Sequence, residues 1–306
     1  MTHKTPSHDT VMVHRENPFK GYSSPEAFAR YFARVPEDLR QRVLHFREEH
    51  PLQYMKIDGV WWEYIRTGLG TQTVIFLHGL LGTCDLWWQQ IAHLESSVNV
   101  LSVTYPALAS LEALSRGISR IVAYESLPSP ALCGSSLGGY LTQYMVQAAP
   151  FPITHAIFGN TFPPTHTFDK DNRFLRLILP LLPEKLLKRF MRKNVEQVMY
   201  PASGYNELLR AHLLETLDRL SKEDLTARYA CVLERFEPPK LEQKTTQACI
   251  IESDNDPVIS PPLRAQLKAL YPSACVHTIK QGGHFPYVSH AEAYTAILSD
   301  FITESV

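Results

Sequence analysis

The chain of 306 residues is long enough to bury a full core, and with 44% apolar and 20% charged residues it has the composition of an ordinary globular protein. A formal net charge of −1 argues against the strongly basic surface that nucleic-acid binding requires. Every apolar run is far shorter than the roughly 20 residues that a membrane-spanning helix needs.

The N-terminal segment and the cysteines indicate where the protein resides. Residues 1–24 are polar and lack the apolar core of a signal peptide, so we expect a flexible arm there. The cysteines are odd in number and scattered, without zinc-ligand spacing, which favours buried thiols over disulfides and predicts a cytoplasmic protein with no bound metal. They are Cys84, Cys133, Cys231, Cys249 and Cys275.

Residues 25–50 carry the pattern of two helices. Ser24 has the position of an N-cap before Pro25, and Pro36 separates two segments with helical apolar spacing. We therefore predict that residues 1–50 form an N-terminal arm and an accessory helical pair packed on the main domain. A helix that binds a partner protein is the alternative.

Residues 51–161 and 244–306 alternate between apolar strands and helical segments, which predicts a mostly parallel sheet with helices on both faces. An Asp58-Gly59 turn joins the first two strands into a hairpin. Strands are predicted at 53–57, 60–66, 73–77, 99–104, 128–133, 153–158, 248–252 and 274–279. Helices are predicted at 85–94, 108–124, 140–149, 262–270 and 291–302.

The alternation stops in residues 162–243, where only helical patterns occur, at 174–182, 183–193, 205–220 and 223–235. An all-helical insertion at the carboxyl edge of a parallel sheet covers the crevice where ligands bind, so we predict a helical cap. Its basic residues between 185 and 193 indicate a solvated face, with attraction to anionic substrates or surfaces as the alternative.

The stretch Gly134-Ser135-Ser136-Leu137-Gly138 lies between a predicted strand and a predicted helix. Gly-x-Ser-x-Gly in that context is the pattern of a nucleophile elbow, a sharp turn around which only small residues fit. The turn strains the serine backbone and points the amides at the start of the helix toward the serine Oγ. Ser136 is therefore the predicted nucleophile.

A His78-Gly79-Leu80-Leu81-Gly82 loop follows the predicted strand at 73–77. Serine hydrolases of this kind form half of their oxyanion hole in such a loop. We predict that the backbone amides of Leu80 and Leu137 bind the developing negative charge, and that His78 braces the loop and does not carry a proton.

Two further reactive side chains follow later strands: an aspartate in the loop at 253–257, and His284 directly after Gly282-Gly283. Serine, aspartate and histidine in this chain order are typical of one class of hydrolase. The histidine takes the proton of the serine, and the aspartate fixes its tautomer. We predict Asp256 as the acid and keep Asp254 as the alternative.

These motifs resemble the α/β-hydrolase superfamily over residues 53–302 and, within it, the maspardin branch. The branch resemblance rests on Thr104-Tyr105-Pro106, residues 134–141, Asn160-Thr161-Phe162 and residues 282–287. The resemblance implies an α/β-hydrolase fold with an inserted helical cap. Animal maspardins are thought to act as binding or adaptor proteins with an altered histidine position, but His284 is present here.

We therefore predict a serine hydrolase that cleaves a carboxylic ester through an acyl-Ser136 intermediate, without a cofactor. The cap is rich in leucine, phenylalanine and proline, which favours a small-molecule substrate with an apolar acyl or alcohol group. Thioesterase, lactonase, peptidase and C–C hydrolase activities use the same triad, and the fold does not separate them. A non-catalytic, maspardin-like binding or adaptor protein on the same fold is the alternative.

Overall fold

The computed structural model describes residues 12–14, 21–164 and 181–303. Its strands are β1 (Met12–His14), β2 (Gln53–Ile57), β3 (Val60–Thr67), β4 (Thr73–Leu77), β5 (Asn99–Thr104), β6 (Ala131–Ser135), β7 (His155–Gly159), β8 (Gln247–Ser253) and β9 (Cys275–Ile279). In these ranges the strands form one sheet in the order β1-β2-β3-β5-β4-β6-β7-β8-β9.

The sheet has an antiparallel end and a parallel body. Strands β1, β2, β3 and β5 pair antiparallel in that order, and from β5 to β9 every pair is parallel. Because parallel strands end at the same edge, the loops that follow β4, β6, β7, β8 and β9 lie side by side.

Helices cover both faces of the sheet. Among the residues that the structure describes, the α-helices of four or more residues are α1 (Pro25–Tyr31), α2 (Glu37–Glu49), α3 (Trp88–Leu94), α4 (Leu111–Tyr124), α5 (Leu137–Ala148), α6 (Glu184–Asn194), α7 (Glu207–Arg219), α8 (Lys222–Leu233), α9 (Pro261–Leu270), α10 (Pro286–Ser289) and α11 (Ala291–Thr303). Alternate residues of the central strands enter two separate apolar cores, Phe76 on one face and Ile75 on the other. In the described ranges, each helix is too short or too polar to cross a bilayer.

The fold class predicted from the sequence is confirmed, and the differences lie mainly at element ends. The predicted helix at 108–124 begins at Leu111, because Ser110 caps it by accepting a hydrogen bond from Ala113 N–H. The strand predicted at 128–133 runs instead from Ala131 to Ser135. The predicted helix at 174–182 falls largely outside the described residues.

Two expectations are corrected. The arm predicted before residue 25 is not wholly flexible, because Met12–His14 pairs with β2 as an edge strand; residues 1–11 and 15–20 lie outside the described ranges. The prediction that all five cysteines are buried is wrong for Cys275, which is exposed because β9 is the last strand of the sheet. The other four cysteines are buried.

Buried ion pairs join α2 to the main domain. The guanidinium of Arg47 lies 2.7 Å from Asp85 Oδ2 and 2.7 Å from Glu215 Oε2, and the three side chains are at most 6% exposed. Asp85 follows the loop after β4, and Glu215 lies on α7. The Arg47 network, which we define as these three residues, therefore connects the N-terminal helices, the core and the inserted helices.

Candidate active site

Ser136 lies in the sharp turn between β6 and α5, with φ 55° and ψ −117°. Such a backbone conformation costs a non-glycine residue about 1–3 kcal/mol and persists only where the surroundings impose it. A Cβ on Gly134 would lie 2.1 Å from Gly138 O, and one on Gly138 would lie 1.9 Å from a backbone oxygen of β4. The small residues of the motif are therefore required by close backbone contact around the serine.

The amides of Leu80 and Leu137 border this turn. Leu137 is the first residue of α5, and Leu80 lies in a turn closed by a hydrogen bond from Gly82 N–H to Gly79 O. A Cβ on Gly79 would lie 3.1 Å from Ser136 Cβ, so this turn packs against the serine. Within the described part of the chain, neither the Leu80 amide nor the Leu137 amide donates a hydrogen bond, which leaves both available to a ligand.

His78 braces the same loop from within. Its ring accepts a hydrogen bond from Tyr105 N–H at Nε2, and its Nδ1 lies 2.6 Å from Gly79 O. Complete burial, with the nearby charge of Arg228, holds the pKa of His78 well below its ordinary value, so the ring is neutral at physiological pH. These contacts agree with the bracing role predicted for His78.

Arg228, on α8 of the insertion, binds the backbone of the His78–Gly82 loop. The sequence motifs do not predict this residue. Its Nη1 donates to Leu80 O at 3.0 Å and to Gly82 O at 2.9 Å, and its Nη2 donates to Tyr105 O at 3.0 Å. Burial lowers the pKa of Arg228 to about 10, which still leaves the guanidinium charged at neutral pH. The predicted oxyanion loop is therefore fixed by a residue of the inserted helices.

The structure brings Asp256 and His284 together. His284 Nδ1 lies 2.9 Å from Asp256 Oδ2 and 3.0 Å from Oδ1, and both side chains are buried. Asp256 Oδ1 also accepts hydrogen bonds from the amides of Val258 and Ile259. Asp254, the alternative acid, instead accepts a hydrogen bond from a backbone amide of the loop after β9.

The carboxyl of Asp256 is held in its ionised form. Burial alone would raise the pKa of Asp256, but the charge of His284 and the hydrogen bonds that the carboxylate accepts outweigh burial and lower it below the ordinary value. Because Nδ1 of His284 is engaged with this carboxylate, Nε2 is the ring atom left to act as a base.

Asn160 is a further site residue that sequence reasoning quoted without giving it a role. It follows β7, between the strands that carry Ser136 and Asp256, and its Nδ2 lies 2.8 Å from Asp256 Oδ2. Ser136 follows β6 and His284 follows β9 at the same end of the parallel strands, but no hydrogen bond joins Ser136 Oγ to His284 among the described residues. Catalytic contacts of this kind often tighten only when substrate is bound.

The family model for the alpha/beta hydrolase family matches residues 74–297. The chain belongs to the α/β-hydrolase family. It is 26% identical to maspardin of Danio rerio over 223 residues, which cover 70% of this chain and 69% of that protein. The superfamily and maspardin resemblances drawn from the motifs are confirmed.

Solved structures support the same fold. A hydrolase from Pseudomonas aeruginosa superposes with a TM-score of 0.70 at 17% identity, covering 83% of this chain and 98% of that one. An enol-lactonase from Burkholderia xenovorans superposes with a TM-score of 0.67 at 16% identity, covering 82% of this chain and all of that one. At these identities the likeness concerns the fold alone.

Two groups of side chains in this α/β hydrolase, within the described ranges, have metal-ligating atoms within 4.8 Å of one another. Asp85, His212 and Glu215 form the first group, but both carboxylates there already bind the guanidinium of Arg47. The second group is Cys249, Cys275 and His277, on β8 and β9. Cys249 and Cys275 are paired near the amino ends of their strands, so this group lies away from the edge that carries Ser136.

A cavity of about 540 Å³ lies beside the candidate site of this α/β hydrolase, between the β2–β3 hairpin and the start of α8. It approaches the oxyanion loop through Thr83, Tyr105 and Arg228, and none of Ser136, Asp256 and His284 lines it. We therefore do not assign it to the acyl group. Its polar lining includes Glu63, Thr83, Thr104, Arg219, Ser221 and Asp224.

Proposed function

We propose that this α/β hydrolase is a serine esterase that cleaves a carboxylic ester through an acyl-Ser136 intermediate. The observation that carries the proposal is the buried Asp256–His284 hydrogen bond, which lies at the sheet edge where Ser136 occupies its strained turn. A buried, ionised carboxylate held against an imidazole is the arrangement that activates a serine hydroxyl in this class of enzyme.

In the proposed reaction, His284 Nε2 removes the proton of Ser136 as its Oγ attacks the ester carbonyl. Asp256 stabilises the imidazolium that forms and keeps the ring in the tautomer that exposes Nε2. The imidazolium then gives its proton to the departing alcohol, leaving the acyl group on Ser136. A water molecule, deprotonated by the same imidazole, then attacks the acyl carbonyl. As the bond between the acyl carbon and Ser136 Oγ breaks, the imidazolium returns the proton to Oγ and the carboxylic acid is released.

The amides of Leu80 and Leu137 are proposed to bind the oxyanion of each tetrahedral intermediate. Each such donor is worth on the order of 10²–10³ in rate when it is held in place before the reaction begins. His78 and Arg228 supply that rigidity, because their hydrogen bonds fix the backbone on both sides of Leu80. Part of the proposed oxyanion hole thus depends on the insertion.

The helices of the insertion, with the segment that joins them to β7, are proposed to act as a cap. The chain leaves the sheet at Gly159, the end of β7, and returns at Gln247, the start of β8. The insertion therefore begins at the end of the strands where the candidate residues meet. The insertion is rich in leucine, phenylalanine and proline, which supports an ester with an apolar acyl or alcohol group as substrate. We propose a small molecule of this kind.

A non-catalytic binding role is the second candidate function, favoured by the similarity to maspardin. Reaction with a fluorophosphonate separates the two, because phosphonylation requires an activated serine and not merely a pocket. We expect stoichiometric labelling of Ser136 in the wild type and almost none in His284→Ala, with Ser136→Ala as the matched blank. Absence of labelling in the folded wild type would favour the binding role.

A further inference from the structure

Two asparagines hold the turn that precedes His284. Asn160 Nδ2 donates to Asp256 Oδ2 at 2.8 Å and to Gly283 O at 3.1 Å. Asn255 Oδ1 accepts a hydrogen bond from Gly283 N–H at 2.8 Å. Asn255 therefore binds the peptide group before the Gly283 Cα, and Asn160 binds the peptide group after it.

Gly283 has a conformation that needs such support. Its φ is +64°, in the left-handed region that glycine tolerates best, and a Cβ there would lie 3.0 Å from Ala202 O. Asn255 Nδ2 donates to the same Ala202 carbonyl at 2.8 Å. The direction in which the chain delivers the His284 ring is therefore set by these contacts around a single flexible residue.

The chemistry of its neighbours fixes how the Asn160 amide is oriented. The Asp256 carboxylate and the Gly283 carbonyl can only accept hydrogen bonds, so the NH₂ group must face them. The Asn160 Oδ1 that results is buried and has no partner among the described residues. The Asn160 backbone is anchored separately, at a φ of +37°, by donation of its N–H to Ile251 O at 2.8 Å.

We propose that Asn160 and Asn255 are positioning residues of this α/β hydrolase, which together hold the acid–base pair in its reactive geometry. Asn160 acts as a donor, to Asp256 and to Gly283, whereas Asn255 acts at Gly283 as an acceptor. The inference rests on the proposed function. Neither side chain needs to contact substrate, because a displacement of about 1 Å in a catalytic group can itself cost about 10²-fold in rate.

The same substitution at the two positions tests the roles, because aspartate keeps the acceptor of asparagine and removes its donor. Asn160→Asp places a carboxylate against the Asp256 carboxylate and the Gly283 carbonyl. We expect kcat to fall by about 10²-fold with KM within about twofold. Asn255→Asp keeps the oxygen that Gly283 N–H needs but loses the donor to Ala202 O, so we expect its kcat to fall by at most about tenfold, less than that of Asn160→Asp. Asn255→Ala also removes the acceptor of Gly283 N–H, so we expect its kcat to fall by about 10²-fold, and a kcat within about threefold of the wild type would overturn the role of Asn255.

Asn99→Ala is the matched control, since Asn99 also bonds backbone and a neighbouring side chain but lies at the start of β5, away from the site. It should leave kcat unchanged. A kcat for Asn160→Asp within about threefold of the wild type would overturn the inference. Equal losses of kcat in the two aspartate variants would also overturn it, because Asn160 alone donates to Asp256. If Asn160→Asp does not fold, Asn160→Ala replaces it, with the same expected fall in kcat relative to Asn99→Ala.

A spectroscopic readout separates this inference from the proposed function. The proton on His284 Nδ1 that faces Asp256 should give a strongly deshielded proton resonance, assigned by its loss in His284→Ala. We expect Asn160→Asp to shift or broaden this resonance and Asn255→Asp to keep it. If the wild type neither hydrolyses esters nor labels at Ser136, the proposed function fails, whereas this comparison still tests whether Asn160 positions the acid–base pair. An unshifted resonance in Asn160→Asp would overturn that inference.

Discussion

Arg228 Nη1 donates to Leu80 O at 3.0 Å across 148 positions of sequence. The same guanidinium binds the carbonyls of Gly82 and Tyr105, so one buried side chain of α8 holds three peptide groups around the proposed oxyanion loop. A helix of the insertion therefore contacts the site directly and helps to fix its shape.

Replacing Arg228 with methionine should lower kcat by up to about 10²-fold with little change in KM. Methionine cannot donate hydrogen bonds to the loop carbonyls, so the Leu80 amide is no longer held in place before the reaction. Because an oxyanion donor acts in the transition state, the loss should appear in kcat and not in KM. Steady-state kinetics on an ester substrate measures both constants. Arg116→Met, at a half-exposed position on α4, is the control, and equal kcat in the two variants would contradict the role of Arg228.

Breaking the Arg47 network should strongly destabilise the protein. Arg47→Met leaves the buried Glu215 carboxylate without its cation and leaves Asp85 only the Arg219 guanidinium, 3.9 Å away. Removal of one partner from a buried ion pair costs about 3–5 kcal/mol of unfolding free energy. Arg40→Met, in an exposed pair on the same helix, should cost at most about 1 kcal/mol. Urea unfolding compares the two, and similar losses would show that α2 is not fixed through Arg47.

His212 should make stability depend on pH. Burial first, and then the charge of Arg47, lowers the pKa of His212 from 6.5 to about 4. Between these values the unfolded chain binds a proton that the folded protein does not, so stability should fall as pH is lowered from about 6.5 to 4. The loss should be roughly 3 kcal/mol, at about 1.4 kcal/mol per pH unit.

Urea unfolding at several pH values checks this expectation, with His212→Gln as the test variant and the exposed His93→Gln as the control. The slope of unfolding free energy against pH should flatten in His212→Gln and persist in His93→Gln. Identical slopes in the wild type and in His212→Gln would show that another group supplies the dependence.

The structural features that the sequence predicts are those encoded in short stretches, whereas the chemical roles of the site residues stay predictions. The Gly-x-Ser-x-Gly motif demands its turn locally, and the alternation of strands and helices brings Asp256 and His284 to one edge through their position after neighbouring strands. The candidate site residues are therefore predicted mainly from their positions directly after predicted strands.

The residues that were missed act across long sequence separations. Arg47 lies 168 positions from Glu215, and Arg228 lies 148 positions from Leu80, and neither arginine belongs to a local motif. Asn160 could have been found as an asparagine directly after a buried strand, where a positive φ is tolerated, but its partner Asp256 is fixed only by the sheet order. Cys275 was expected to be buried because an apolar run does not reveal that its strand is the edge.

The most direct test of the proposed function is hydrolysis of p-nitrophenyl esters from acetate to long acyl chains by the wild type and by Ser136→Ala. Loss of the nucleophile can lower kcat by about 10⁶-fold in a serine hydrolase. We expect hydrolysis that disappears in Ser136→Ala, with a chain-length optimum that reports the size of the acyl pocket. A wild-type rate no greater than that of folded Ser136→Ala across the whole series would contradict the esterase proposal.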